Sequence, residues 1–263
     1  MTVLEIAGAD LEVVRYGRAG SRPVLLHHGL AGSAALPPQW LELVADADVE
    51  IIAIARPGYG LSAPREMADI AAWAPIVGEL LDRWALDSVG TLGISAGAPY
   101  SYALAASLPD RVARVAITSG LGLVNERETR ALYPEPSPTL FEWFGTASFE
   151  EVAQFWSKNF SAGLADLPDD HPWRTVIGDS LAHDAAGPAR EAILQQRPWG
   201  FAVEDVTVPV QLWHTRLDTD VPFATAEIVA ARIPGAILHE HDDPAHIPTE
   251  KTLHTALTYA AGG

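Results

Sequence analysis

The stretch Thr91–Ala105, TLGISAGAPYSYALA, decides how this chain is read. An apolar run, SVGTLGI at Ser88–Ile94, reaches a serine set between two glycines and passes straight into an alanine-rich segment that reads as a helix from Ala96 to Leu108. Glycine is costly in either element unless the backbone needs it, and serine has no packing reason to stand where a strand becomes a helix. The stretch therefore reads as a bend that serves the serine.

Outward from this bend the chain alternates between strand-like and helix-like segments. Upstream, Val3–Ile6 and Leu11–Tyr16 read as a short antiparallel start. PVLLHH at Pro23–His28 is an apolar strand stopped by GLAGS, and VEIIAIA at Val49–Ala55 is another, stopped by RPGYG. Helical patterns cover Gln39–Ala47 and Met67–Trp84. Downstream, VARVAITSG beginning at Val112 is a buried strand. VPVQLWHT at Val208–Thr215 and AILHEH at Ala236–His241 follow, with helices over Pro222–Arg232 and Ile247–Ala261. Continuous apolar runs separated by helices predict a parallel sheet covered on both faces, an α/β fold.

Between about Gly122 and Glu204 the strand signal disappears. YPEPSPT at Tyr133–Thr139 reads as a stiff connector, and aromatic residues crowd the segment, among them Phe141, Trp143, Phe144, Phe155, Trp156 and Trp199. Part of this set is expected to form a small helical core and part to face a pocket.

With 263 residues the chain is long enough for one large domain or a domain with an insertion. It has no cysteine, which excludes disulfides, thiolate metal sites and a cysteine nucleophile and leaves oxygen and nitrogen chemistry. Its formal charge of −17 repels phosphate backbones and anionic lipids. Neither a signal sequence nor an apolar run long enough to span a bilayer is visible. A cytoplasmic protein with a small-molecule substrate is the expectation, without nucleic-acid or membrane partners.

In open parallel sheets the loops at the carboxyl ends of the strands carry function. GISAG, following a strand and opening a helix, has the context of a nucleophile elbow, in which a strained turn lifts Ser95 above the sheet. A serine hydroxyl needs a neighbouring base, and that base needs a third group to hold its tautomer. WHTRLDTDVP puts Asp218 after one strand and HDDPAHIPTE puts His246 after the next, in chain order Ser, Asp, His. The rival acids are Asp220, Asp242 and Asp243, and the rival histidines His239 and His241. HEHDDPAH also has ligand-like chemistry, but no metal or other cofactor is expected, because an acid–base role already accounts for His246. His27 and His28 are expected to hold the loop after their strand, Arg56 to serve the turn it opens, and His183 and Asp184 to be a solvated helix terminus.

The motifs HHG, RPGYGLS, GISAGAPY with LPDRV, DTDVP and AHIPTE together resemble the α/β-hydrolase fold superfamily, specifically its serine-nucleophile members with a helical cap, over nearly the whole chain. The resemblance implies a mostly parallel eight-stranded sheet flanked by helices, with residues 1–121 and 205–263 as the core and 122–204 as the cap. It implies a catalytic triad of Ser95, Asp218 and His246, and an oxyanion hole from the backbone N–H groups of Leu30 and Ala96. Thr215 and Ala98 stand where such proteins often have glycine. Trp143, Trp156 and Trp199 are candidate substrate contacts from the cap. A serine at the elbow argues against the dehalogenases and epoxide hydrolases of this fold, which use aspartate there. The implied activity is cleavage of a small apolar or aromatic carboxylic ester or lactone through an acyl-enzyme on Ser95. Hydrolysis of a carbon–carbon bond, a lyase or cofactor-free oxygenase using the same residues, and a ligand receptor with little turnover are the alternatives.

Overall fold

A computed structural model describes residues 1–263. Eight strands form one sheet: β1 (Thr2–Ile6), β2 (Ala9–Gly17), β3 (Arg22–His27), β4 (Val49–Ile54), β5 (Val89–Ile94), β6 (Val112–Thr118), β7 (Val210–His214) and β8 (Ile237–Glu240). Their order is β1-β2-β4-β3-β5-β6-β7-β8. β2 pairs antiparallel with β1 and β4, and every other pair is parallel.

The two-residue side-chain period of a strand divides the core between the two faces. Leu25, Ile52 and Ile54 point to one face, against Trp73, Ile76 and Leu80 of α2 (Trp73–Arg83, preceded in the chain by α1, Pro38–Asp46) and Tyr102 and Leu104 of α3 (Ala98–Ser107). Their neighbours Val24, Leu26, Ile51 and Ala53 point to the other face, against Trp40 and Val44 of α1. Leu253, Ala256 and Leu257 of the closing helix complete that second layer.

Several helices begin later than the sequence pattern suggests, two of them by more than a couple of residues. The pattern starting at Met67 becomes helical only at Trp73, because Asp69 Oδ1 accepts the Ala72 N–H at 2.9 Å and holds the preceding residues in a turn. Ile247 and Pro248 stay outside the last helix, which Thr249 caps through its hydroxyl at the Thr252 N–H. β7 starts at Val210 rather than Val208, after Pro209, which has no N–H to give a sheet ladder.

The segment between β6 and β7 has helices joined by turns and no strand: α4 (Arg127–Arg130), α5 (Ser137–Phe144), α6 (Phe149–Ala165), α7 (Arg174–Ser180) and α8 (Ala182–Gln195). Ser148 and Glu151 form a reciprocal capping box at the start of α6. His183 and Asp184 are solvated as expected, but they do not end a helix. With Ala185 they make a left-handed turn at φ 51°, 58° and 60° that kinks α8. α9 (Phe223–Arg232) and α10 (Glu250–Ala260) complete the fold. No helix is long and apolar enough to cross a membrane.

Candidate active site

β5 ends at Ile94 in extended backbone, and Ser95 then takes the left-handed region at φ 52° before the chain becomes helical. The Leu121 N–H donates to the Ser95 carbonyl at 2.9 Å and holds the turn in place. The flanking glycines are steric necessities. A Cβ on Gly93 would lie 2.6 Å from Ser101 Oγ, and one on Gly97 would lie 2.8 Å from the His28 carbonyl oxygen.

The turn brings Ser95 Oγ to 2.8 Å from His246 Nε2, and His246 Nδ1 lies 2.8 Å from Asp218 Oδ2. A carboxylate can only accept, so Nδ1 carries the proton and Nε2 faces the serine hydroxyl as an acceptor. Asp218 is held from every side. Its Oδ1 accepts the N–H groups of Asp220 at 2.9 Å and Val221 at 2.8 Å, and His214 Nε2 lies 3.2 Å from its Oδ2. Burial alone would raise this carboxyl. The hydrogen bonds from His214, His246 and the Val221 N–H outweigh burial and hold it well below the usual carboxylate range.

The rival groups are engaged elsewhere. Asp243 accepts from the Thr249 N–H and hydroxyl, both at 2.7 Å, and from the Thr252 hydroxyl at 3.0 Å, which makes it the anchor of the loop that carries His246. His239 bonds Gln211 at 2.8 Å and stacks on Trp213. His241 lies beside Asp243, and Asp220 and Asp242 are exposed. Thr215, in place of glycine, donates its hydroxyl to the Asp243 carbonyl at 2.8 Å and so ties the Asp218 loop to the His246 loop.

Leu30 and Ala96 border the cavity at Ser95. His28 Nε2 accepts the Arg56 N–H at 3.2 Å, so its Nδ1 carries the proton and donates to the Gly29 carbonyl at 2.7 Å. In a trans peptide the carbonyl and the following N–H point in opposite directions, so holding the Gly29 carbonyl also fixes the direction of the Leu30 N–H. His27 Nε2 accepts from Trp73 Nε1 at 2.9 Å, with its other nitrogen 2.8 Å from Ser101 Oγ. Arg56 is buried: its guanidinium lies 4.6 Å from the Tyr100 ring centroid and pairs through both Nε and Nη2 with Glu191 of α8.

Above Ser95 lies a cavity of about 520 Å³, walled chiefly by apolar and aromatic side chains. Phe141, Phe144, Trp156 and Phe160 face it from the helical segment, Trp40 from α1, and Trp173 from just before α7. Of the three tryptophans singled out in the sequence, only Trp156 borders the cavity. Trp143 packs against Phe144 and Phe155 inside the helical segment, and Trp199 is buried in the main core with its Nε1 on the Gln195 carbonyl. Glu191, Gln195 and His214 were not anticipated. The first two lie in an aromatic-rich segment in which no sequence motif marks the polar residues. His214 offered one signal, since it stands four residues before Asp218 in WHTRLD.

Sheet order, elbow and loop placement together define a member of one family, and the chain belongs to it: the alpha/beta hydrolase fold matches residues 22–250. A pimeloyl-[acyl-carrier protein] methyl ester esterase of Aromatoleum aromaticum is 28% identical over 248 residues, covering 86% of this chain and 90% of its own. The fold is shared with an esterase from Exiguobacterium antarcticum, at 16% identity and TM-score 0.75 over 100% of this chain and 99% of that one. It is also shared with the enol-lactonase of Burkholderia xenovorans LB400, at 19% identity and TM-score 0.68 over 98% of each chain.

Proposed function

We propose that this protein is a serine hydrolase that cleaves a small, apolar or aromatic carboxylic ester or lactone through an acyl-enzyme on Ser95. The observation that carries the reading is the continuous chain Ser95 Oγ, His246, Asp218, with both contacts at 2.8 Å, at the floor of an apolar cavity. In this reading His246 takes the Ser95 proton as the hydroxyl attacks the acyl carbon and returns it to the leaving alcohol. Water then repeats the cycle and releases the acid. Asp218 holds the imidazole tautomer and stabilises its charged form, while the N–H groups of Leu30 and Ala96 meet the developing oxyanion.

Residues 122–204 act as the cap that gives the cavity its apolar wall. The ester and lactone substrates of the relatives named above, as their names give them, support the choice of bond. The test is rapid mixing with a short-chain p-nitrophenyl ester. Wild-type protein is expected to release a stoichiometric burst of p-nitrophenol before steady turnover, and Ser95→Ala to show neither. A burst that survives in Ser95→Ala removes the reading.

A further inference from the structure

Residues 28–36, the loop after β3 that carries Leu30, make no backbone-to-backbone hydrogen bond. Peptide groups that no strand or helix partner holds take their direction from the side chains that bond them. Here those holds are few. His28 Nδ1 and, at 3.4 Å, Arg56 Nη2 reach the Gly29 carbonyl, Ser180 Oγ donates to the Gly32 carbonyl at 3.1 Å, and Tyr16 Oη donates to the Ala34 carbonyl at 3.0 Å. Ser33 Oγ accepts the Ala35 N–H at 3.0 Å.

Two of the holds depend on one part of the helical segment. Ser180 is the last residue of α7 and wholly buried, with the Val176 carbonyl of its own helix, at 3.4 Å, as the poorer alternative for its hydroxyl. Glu191 of α8 fixes Arg56 by accepting from its Nε and Nη2. This α7–α8 part is seated backbone to backbone on the turn after β4: the Gly60 N–H donates to the Asp179 carbonyl at 2.9 Å, and the Gly187 N–H to the Gly58 carbonyl at 3.2 Å. A Cβ on Gly58 would lie 2.6 Å from the Gly187 nitrogen, so the approach tolerates no side chain. The α7–α8 part therefore reaches both ends of Gly29–Gly32, and Leu30 lies between them.

Neither lysine nor arginine borders the cavity. Negative charge developing on a substrate oxygen there is left to N–H dipoles, whose worth depends on their aim. We propose that Ser180, together with the Arg56–Glu191 pair, positions the Leu30 N–H: α7 and α8 hold the Gly29–Gly32 loop in the shape that meets the oxyanion. The inference rests on the esterase reading, which gives Leu30 its role. Ser180, Arg56 and Glu191 do not border the cavity, so removing them leaves the surface that binds substrate in place.

The test compares two ketones as inhibitors of wild-type, Ser180→Ala and Arg56→Met/Glu191→Met proteins hydrolysing a p-nitrophenyl ester below their unfolding temperatures. With trifluoromethyl hexyl ketone, Ser95 Oγ adds to the activated carbon, its proton passes to His246, and the carbonyl electron pair becomes an alkoxide in the oxyanion hole. Methyl hexyl ketone fills the same space but is too weakly electrophilic to add. In each variant kcat/KM and affinity for the trifluoromethyl ketone are expected to fall together by about tenfold, less than the roughly 10²- to 10³-fold cost of a whole oxyanion donor, with KM and methyl ketone affinity little changed. Ser180→Cys, which keeps the shape with a weaker donor, is the second variant if Ser180→Ala does not fold, and is expected to show a smaller loss of the same kind. A variant that binds the two ketones in the wild-type ratio, whether both are unchanged or both weakened, overturns the role of the contact it lacks. Wild-type protein that neither turns over the ester nor prefers the trifluoromethyl ketone would instead remove the esterase reading, and the inference with it.

Discussion

Asp218 accepts hydrogen bonds from His246 and two backbone amides, and His214 Nε2, which donates to the Val221 carbonyl at 2.8 Å, lies 3.2 Å from its Oδ2. Asn at this position keeps the shape, but an amide NH₂ cannot accept from His246 Nδ1–H as a carboxylate does, so the imidazole is free to turn its tautomer over. Asp218→Asn is expected to lower kcat toward the roughly 10⁴-fold loss typical of this substitution, with KM little changed, as read from steady-state kinetics on a p-nitrophenyl ester. A variant retaining most of its turnover would show that His246 is held by something else. Ser95, Asp218 and His246 were each legible in the sequence because each follows a strand within a short motif, GISAG, DTDVP and AHIPTE. His214 was harder to see. It is the last residue of β7 and looks like any buried strand residue until the fold turns its ring toward Val221 and Asp218.

At the scale of elements, the buried pair of Arg56 and Glu191 joins the turn after β4 to α8, two pieces of chain 135 residues apart. Arg56 Nη2 also lies 3.4 Å from the Gly29 carbonyl, so the pair reaches the loop that presents Leu30. Removing one member leaves the other charge buried and alone, which costs about 3–5 kcal/mol, whereas replacing both with apolar residues is often neutral. Glu191→Met is therefore expected to destabilise the protein by that amount, and Arg56→Met/Glu191→Met to recover most of the loss in urea unfolding. A double variant as unstable as the single one would mean that the pair contributes specific contacts beyond its charge. The strands were legible at this scale because their apolar runs are continuous, and so was the helical character of the insertion. Its internal partition was not. Phe144 and Trp156 line the cavity while Trp143 faces inward, a division set by how α5, α6 and α8 lean on one another rather than by the spacing of aromatic residues.

For the whole molecule, the most exposed vulnerability is acid. His27 and His28 sit in the core, and burial, reinforced by the Arg56 charge, pushes both well below the ordinary histidine value. Their protons are refused by the folded chain but accepted by the unfolded one. The stability these neutral rings support is complete above pH ~6.5 and declines as pH falls below it, by about 1.4 kcal/mol per unit for each ring until the folded protein itself takes the proton. Urea unfolding at pH 7.5, 6.0 and 5.0 is expected to show a falling free energy, and a flat profile would mean that the rings are not held neutral. The pair HH at the end of β3 was read from sequence as holding the following loop, but its sensitivity to acid depends on Trp73, Ser101 and Arg56 closing around it, contacts that only the assembled sheet creates. The cation-free cavity has a consequence for the turnover cycle as well. In the proposed reaction a neutral compound enters and a carboxylate is left behind, within a wall that offers it no countercharge and a molecule whose field is negative. The chemical step thus converts a welcome guest into a repelled one, so departure of the acid is driven by the same charge distribution that admits the ester.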